Sequence, residues 1–411
     1  MSLSLIGKSI SQSATLKLNE KAAILRAKGE PIIHLGGGEP KTAAPLEAIL
    51  AATGIINSGE VRYTPADGIV ELKQAIIRYT EEFYNRKVSP LHVIASSGAK
   101  QSIMVALQAI LNPQEEVIFP APYWVSYTEM VKLIGGIPVP VHPEDGSFHP
   151  TIEDIERYVT SYTKAVIINS PNNPTGAMYS EQFISDIVNF CEKRGLWLIM
   201  DDIYHRLIFD GRKPLNCYNY TSDFSENSKI IIINGVSKQY AMTGFRIGWA
   251  VGNKQLLAAM TNIQAHQTSG PSVVMQKAAV GALNGVQSHV ESLRRTLENN
   301  RNILCDRLAS FDGVRFYRPD GTFYCFADFS AYTNRFKNDS IALSEYLLEK
   351  VRVATMPGIE FGMKTGCWLR LSTCGAVKDI TEGMERIKWA LDPNAPNELY
   401  IGERKLTRDW L

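Results

Sequence analysis

Between Val93 and Gly252 short apolar runs recur with room for a helix between most of them. They are Val93 to Ser96, Glu116 to Phe119, Ile137 to Val141, Lys164 to Asn169, Leu196 to Met200, Lys229 to Ile233 and Gly248 to Gly252. Most lack the polar alternation of a half-exposed strand, so they read as strands buried on both faces. Intervening segments carry helical spacing instead, as in Ile103, Leu107, Ile110 and Leu111, or Phe183, Ile184, Ile187, Val188 and Cys191. Strands alternating with helices predict a mostly parallel seven-stranded sheet covered by helices on both sides, an α/β architecture. Upstream, Asp67 to Phe83 reads as a helix, with Asp67 as its N-cap and Glu71 in the first turn.

Downstream the texture changes. Pro271 to Leu308 is a nearly unbroken helical pattern with a bend at Gly285. Gly-rich turns, short strands at Thr322 to Asp328 and Trp368 to Ser372, and two further helical stretches follow. This is a smaller α/β unit. The expected division is an N-terminal arm over 1–14, a large domain over 46–295, and a small domain made from both chain ends, 15–45 and 296–411. The polar tail after Asp392 has no clear pattern.

Composition removes several classes of function. The 411 residues are 45% hydrophobic and carry a formal charge of +1, with no long basic run. A footprint for nucleic acid or anionic lipid is therefore missing. The apolar runs are far shorter than the roughly 20 residues of a membrane helix. Met1 to Ile10 does not read as a signal peptide, and the expected location is cytoplasmic. The six cysteines show no CxxC spacing, which suits reduced thiols better than disulfides or a structural metal.

Open parallel sheets bind ligands beyond the carboxyl ends of their strands. The first run leads into Ser96-Ser97-Gly98-Ala99-Lys100, a glycine turn opening a helix, where free N–H groups suit a phosphate; a plain strand-to-helix turn looks the same. The fourth ends in Ser170-Pro171-Asn172-Asn173-Pro174-Thr175-Gly176, two amides aimed by flanking prolines, or simply a capped loop. The fifth delivers Asp201 and Asp202, with Tyr204 beyond; either aspartate has the alternative of capping the next turn, the reading preferred for Asp202. The sixth ends at Asn234-Gly235-Val236-Ser237-Lys238, with Arg246 following. Desolvation of a lysine at a buried strand end lowers its pKa and makes it a nucleophile for a carbonyl. Together the phosphate turn, the buried acid and Lys238 suggest a Schiff base to a phosphorylated, aldehyde-bearing, nitrogen-ring cofactor, a description that pyridoxal 5'-phosphate answers.

The chain resembles the fold-type I pyridoxal phosphate enzymes of the class I aminotransferase family, in their bacterial aspartate aminotransferase branch. The resemblance runs from Ser13-Ala14-Thr15 to about Ala390. It is carried by Gly36-Gly37-Gly38-Glu39-Pro40, Arg62 to Gly68, Ser97 to Lys100, Pro122 to Tyr127, Ser170 to Gly176, Asp201 to Tyr204, Ser237-Lys238 with Met242 to Gly248, and Leu369 to Ser372. It implies Lys238 as the covalent anchor and general base, Asp201 on the pyridine nitrogen, Asn173 and Tyr204 on the phenolic oxygen, and Trp124 stacked on the ring. The phosphate falls to Gly98, Ala99 and Lys100, with Arg246 and with Tyr63 from a second subunit, in a homodimer with shared sites. Arg370 is implied for the substrate carboxylate, with Gly38 closing over it. One departure stands out: many relatives have a serine where this chain has Gly235, so Ser237 or Thr268 is expected to contribute in its place.

The implied reaction moves an amino group between an amino acid and a 2-oxo acid. The rival on this fold is a β-lyase or cyclopropane-forming synthase; a rival of another class is a non-catalytic sensor, which lacks support without a DNA-binding extension. For the substrate, Lys100 in a first helical turn is disfavoured by the helix dipole unless an anion is near. The branch resembled uses such a lysine, with a threonine matching Thr15, for a distal carboxylate, which implies aspartate and glutamate. An aromatic donor lodged among Tyr123, Trp124 and Tyr127 is the alternative. Glu39 reads as part of a turn with Pro40, and His205 as a polar residue beside the site; His34 and His266 are unassigned. The Gly36 to Gly38 run lacks GxGxxG spacing and a surrounding βαβ unit, so a dinucleotide site is rejected.

Overall fold

The computed structural model describes residues 4–10, 14–221, 227–332, 339–401 and 404–407. The chain begins with α1 (Leu5–Ser9), α2 (Ala14–Ala27), β1 (Ile33–His34), α3 (Leu46–Ser58) and α4 (Val70–Tyr84). It continues through β2 (Val93–Ser96), α5 (Ala99–Ile110), β3 (Glu116–Pro120), α6 (Ser126–Leu133), β4 (Ile137–Val141), α7 (Ile152–Glu156), β5 (Thr163–Ile168) and α8 (Glu181–Arg194). Next come β6 (Trp197–Asp201), β7 (Ile230–Gly235), β8 (Gly248–Val251), α9 (Lys254–Thr268), α10 (Val273–Asn284) and α11 (Ser288–Ala309). The last part holds β9 (Arg315–Phe316), β10 (Tyr324–Asp328), α12 (Ser340–Val351), β11 (Val353–Ala354), β12 (Met356–Pro357), β13 (Trp368–Ser372), α13 (Val377–Leu391), β14 (Glu398–Ile401) and β15 (Arg404–Thr407).

All seven apolar runs enter one sheet of order β2-β8-β7-β6-β5-β3-β4. Only β8 opposes its neighbours β2 and β7; the others run one way. Alternate residues of each strand feed two cores, as the two-residue period requires. Ile230 and Ile232 of β7, with Leu198, Met200, Trp249 and Val166, pack toward α4, α8 and α10. Ile231 and Ile233, with Ile199, Ala250 and Ile167, pack toward α5, α6 and α9. Helix α8 shows how local chemistry sets the bounds. Ser180 accepts the Phe183 N–H at its start, Gly195 in the left-handed conformation ends it, and Phe183, Ile184, Ile187, Val188 and Cys191 are its buried stripe.

A separate core joins the two chain ends. Ile33 and Leu35 meet Leu304, Leu308, Cys325, Leu347, Leu369, Leu371, Ile380 and Ile387. Strand β1 lies parallel to β11, and β12-β13-β10-β9 form a second sheet. The tail after Asp392 forms an antiparallel β14-β15 hairpin whose Leu406 enters this core, and the Trp389 indole donates to the Pro396 carbonyl at 2.7 Å. All six cysteines are buried and free. No helix among the described residues is long and apolar enough to cross a membrane.

Two local expectations fail. The 271–308 pattern is two helices, broken rather than bent at Gly285. A side chain there would meet the Gly281 carbonyl at 2.7 Å, and the Gln287 amide caps the freed carbonyls of Ala282, Leu283 and Gly285. Asp67 is not a helix cap: α4 starts after Ile69. Gly68, at φ 108°, turns the chain so that the Asp67 carboxylate pairs with Lys73 and its carbonyl accepts the Ala95 N–H.

Candidate active site

A cavity of about 580 Å³ opens where β5, β6 and β7 end, closed on its other side by Arg370 and the Gly37–Glu39 segment. Asp201, the last residue of β6, is buried among the strands. Its Oδ2 accepts the Tyr127 hydroxyl at 2.6 Å, while Oδ1, equally buried, has no partner among the described residues. Burial pushes its carboxyl up to about 6, against the lowering effect of the Tyr127 bond.

Asp202 points to the opposite face and is not the side-chain cap expected. Its Oδ2 accepts the Tyr84 hydroxyl at 2.9 Å, and burial raises it to about 7. Only its backbone carbonyl serves the turn, accepting the His205 N–H. His205 lies beneath the sheet end, bonded to Tyr79 at 2.8 Å and Asn234 at 3.0 Å. Burial lowers it to about 3, so it is a neutral member of a structural network and does not line the cavity.

Lys238 follows β7. Its Nζ donates to the Gly38 carbonyl at 2.6 Å, and burial lowers its pKa to about 8. A lysine so placed is partly neutral near physiological pH, the state a nucleophile or proton acceptor needs.

The two asparagines of the 170–176 loop divide their work. Asn172 holds the loop: its Oδ1 accepts from Thr175, and its amide donates to the Pro122 carbonyl. Asn173, anchored through its N–H to Asn169 at 2.8 Å, faces the cavity and accepts Arg370 Nη1 at 2.9 Å. Arg370 also donates to the Gly36 carbonyl at 3.0 Å and lies 4.1 Å over the Tyr324 ring. Its buried Nε has no partner among the described residues. The guanidinium is thus fixed with donors to spare. Tyr204, buried with its hydroxyl hydrogen-bonded to Tyr324, is raised above the ordinary phenol range by burial.

At the sheet's other end β2 enters the turn. Gly98 has φ 90°, and a Cβ there would lie 2.6 Å from Arg246 Nη2. Glycine thus lets the guanidinium lean over the N–H groups that open α5. Arg246 is itself held by donation to the Thr243 carbonyl at 2.9 Å. This is a cation beside a helix start, whose first-turn N–H groups lack intrahelical partners, the donor set that suits a phosphate. Gly235 has a physical cause: a side chain there would meet the Ile247 carbonyl at 2.9 Å. Ser237 is buried in the cavity wall. Thr268 is exposed on α9 and accepts from Gln101 at 3.1 Å.

Trp124 lines the cavity, with Lys100 Nζ 5.0 Å over its ring; Lys100 is lowered by burial and then by Arg246. Tyr123 and Tyr127 do not line the cavity as the alternative, aromatic-donor reading required. Tyr123 packs on Phe119 and Gly362, and Tyr127 is spent on Asp201. Glu39 does reach the cavity, accepting the Thr243 hydroxyl at 2.8 Å. Tyr63 is 95% exposed and away from the cavity. The side chain of Thr15, on α2, lies outside the described residues. Sequence reasoning missed the Tyr127 bond and the Tyr324 platform; the one signal was that Tyr127 follows Trp124 by a single helical turn.

The family model for aminotransferase class I and II matches residues 30–387. Aspartate aminotransferase of Bacillus subtilis is 38% identical over 382 residues, covering 92% of this chain and 96% of that protein. The probable aspartate/prephenate aminotransferase of Rickettsia bellii is 39% identical, covering 93% and 96%. In structure, Thermus thermophilus aspartate aminotransferase with maleate superposes with a TM-score of 0.89 at 32% identity, covering 95% of this chain and all of that one. A chain with this sheet, this cavity and relatives of this kind over nearly its whole length belongs to the class I and II aminotransferases, which move an amino group between amino acids and 2-oxo acids.

Proposed function

We propose that the protein uses pyridoxal 5'-phosphate to transaminate aspartate and glutamate with their 2-oxo acids. The observation that carries the cofactor reading is the buried, unpartnered Asp201 Oδ1 aimed into the same cavity as a desolvated Lys238. A protonated ring nitrogen is the partner that such a carboxylate lacks. The remaining donors fit the other ends of the molecule. The Gly98, Ala99 and Lys100 turn, with Arg246 and Ser237, suits its phosphate; Asn173 and Tyr204 suit its phenolic oxygen; Trp124 provides a ring face. Bound there, the cofactor supplies an aldehyde that takes up amines and a ring that draws electrons from the substrate Cα.

The protein's own groups do the rest. Arg370 offers a planar fork, fixed on three sides, for the substrate carboxylate. A carboxylate held in one orientation presents the Cα–H to Lys238 in one orientation too, and the near-neutral amine takes and returns that proton. A fixed carboxylate and a base favour transamination over decarboxylation. Lys100 beside the Trp124 face supplies a second cation, with Thr15, for a distal carboxylate; the Thermus relative's maleate is a dicarboxylate.

The same reading includes a cytoplasmic homodimer of two-domain subunits, divided as the two sets of cores divide and with shared sites. Tyr63 and the exposed Leu46, Ile49, Leu50 and Ile56 of α3 support an interface there. Free buried thiols suit a reducing compartment. A panel of amino donors against 2-oxoglutarate and oxaloacetate, read by cofactor absorbance, tests the activity. Turnover that needs no added 2-oxo acid would refute it in favour of a lyase. Lys238→Ala should bind the cofactor without the absorbance of the lysine-bound form and lose activity by at least about 10²- to 10⁴-fold. Retention of both would refute the anchor.

A further inference from the structure

A buried carboxylate outside the cavity lining joins the two loops that carry Asn173 and Tyr204. Those loops follow β5 and β6, neighbours in the sheet. The sheet fixes where they begin, and their far ends are held by the chain between β9 and β10. The N–H groups of Asp320 and Gly321 both donate to the Gly176 carbonyl, at 2.9 and 3.1 Å. On its other side this segment accepts the Phe209 N–H on the Asp320 carbonyl and donates the Thr322 N–H to the Leu207 carbonyl, each at 2.8 Å. The approach is close enough to require glycine: a Cβ on Gly321 would lie 2.6 Å from Pro171 and 2.7 Å from the Leu207 carbonyl. Arg301 of α11 holds the Pro319 carbonyl at 2.7 Å.

The Asp320 side chain repeats this bridge with a charge. Its Oδ2 accepts the Met178 N–H at 3.0 Å, just past the Asn173 loop, and the Tyr317 hydroxyl at 2.6 Å. Its Oδ1 pairs with Arg212, on the Tyr204 side, at 2.9 Å. One oxygen thus serves each loop. Replacing a buried ion pair by apolar groups is often neutral or stabilising, so stability alone accounts poorly for this carboxylate. Asp320 does not line the cavity, but Tyr324, further along the same segment, does. The Tyr324 ring lies under Arg370 and its hydroxyl is bonded to Tyr204, while Asn173 accepts from Arg370. Asn173, Tyr204 and Tyr324 therefore stand on the three segments that Asp320 ties together, with Arg370 set against them. Hydrogen bonds have a narrow range of length, and two donors aimed at one acceptor need a fixed separation. We propose that Asp320 is a positioning residue for the reaction: its carboxylate sets the separation of the Asn173 and Tyr204 loops, so that both donors reach one oxygen of the cofactor. This rests on the cofactor reading above.

Donors on the phenolic oxygen draw off its negative charge, so the nearby nitrogen that joins lysine to cofactor holds its proton less firmly. The pH at which the bound cofactor changes its absorbance therefore reads the two donors. Asp320→Asn keeps the shape and loses the charge, whereas Asp320→Ala loses every side-chain bond. That pH should rise from the parent to Asp320→Asn to Asp320→Ala, by about one unit in the last. In Asp320→Ala kcat for aspartate should fall about tenfold, with KM changing less. Tyr317→Phe removes a bond to the same carboxylate without touching either loop, and should lower Tm while leaving the absorbance pH unmoved. Were Asp320→Ala not to fold, the Asp320→Asn shift alone would decide. Hydrogen exchange of residues 172–178 and 204–209 in cofactor-free protein reads the same hold, and should be faster in both Asp320 variants. A lower Tm with an unmoved absorbance pH, the same shift in Tyr317→Phe, or equal exchange in parent and variants would overturn the proposal. Faster exchange in variants of a protein that binds no cofactor would uphold the tie between the loops and refute the cofactor reading instead.

Discussion

Asp201 ends an apolar strand with one oxygen bonded and one bare, and burial lifts its carboxyl to about 6. An aspartate in the unfolded chain ionises near 3.9. Between those two values the folded protein holds the extra proton, so the contribution of Asp201 to stability is most favourable below about pH 4, falls as pH rises, and stays reduced above about pH 6. The cost of keeping this charge is on the order of 3 kcal/mol, and a cationic ring nitrogen against Oδ1 offsets it. Asp201→Asn cannot ionise. Without cofactor, the variant should lose less thermal stability between pH 5 and pH 8 than the parent, by one to a few degrees in Tm, while its turnover falls at least about a hundredfold. Asp202, raised to about 7 by burial and in part by the Asp201 charge, loses that part in the variant, which adds to the difference in the same direction. Parallel Tm losses would show that Asp201 carries no buried charge. The carboxylate itself was legible in the chain, because an acid closing an apolar run has few innocent explanations. Its hydroxyl partner was not: Tyr127 reads as one more aromatic until β3 and α6 bring it within 2.6 Å.

At the scale of elements, the strands were readable because burial on both faces leaves continuous apolar runs, and each of the seven runs found its place in the sheet. Helix ends were less so. The stripe through 271–308 continues across Gly285 because α10 and α11 both bury apolar faces, and periodicity does not register a break that keeps the spacing. Asp67 has the chemistry of a cap, yet Gly68 redirects the chain to deliver it to Lys73. The glycine turn after β2 was visible as a pattern, whereas the reason for its glycine is three-dimensional. Gly98 combines φ 90° with an Arg246 nitrogen 2.6 Å from where a Cβ would sit. Gly98→Ala should therefore strain the turn and push the guanidinium off the cradle. Cofactor affinity, measured by equilibrium dialysis, should fall about tenfold or more, with a smaller loss of Tm than a core cavity causes. An unchanged Kd would move the phosphate away from this turn.

Across the whole molecule, the site is assembled from distant chain segments. Arg370 and Gly36 belong with the core that joins the two chain ends, and Lys238 and Asp201 belong with the seven-stranded sheet. That Arg26, His34 and Arg370 line one cavity was illegible for this reason: no spacing rule links α2, β1 and β13 until the second core packs them together. Tyr63 poses the same problem one level higher. A phenol 95% exposed, in a stretch that resembles a family cofactor motif but lies away from its own cavity, is explained if it serves a neighbouring copy of the chain. The exposed leucines and isoleucines of α3 nearby are the kind of surface that a homodimer buries. Subunit mixing separates sharing from self-sufficiency. Heterodimers of Tyr63→Phe and Lys238→Ala subunits contain one site with both the lysine and, from the other subunit, the tyrosine. That site should bind cofactor with parental affinity and show parental kcat/KM per competent site. In the Tyr63→Phe homodimer, loss of a charge-assisted phosphate contact should weaken cofactor binding by about tenfold to a hundredfold. If sites were private, the heterodimer's one lysine-bearing site would keep the Tyr63→Phe defect undiminished, and verified heterodimers behaving that way, or a fully active monomer, would refute the shared arrangement.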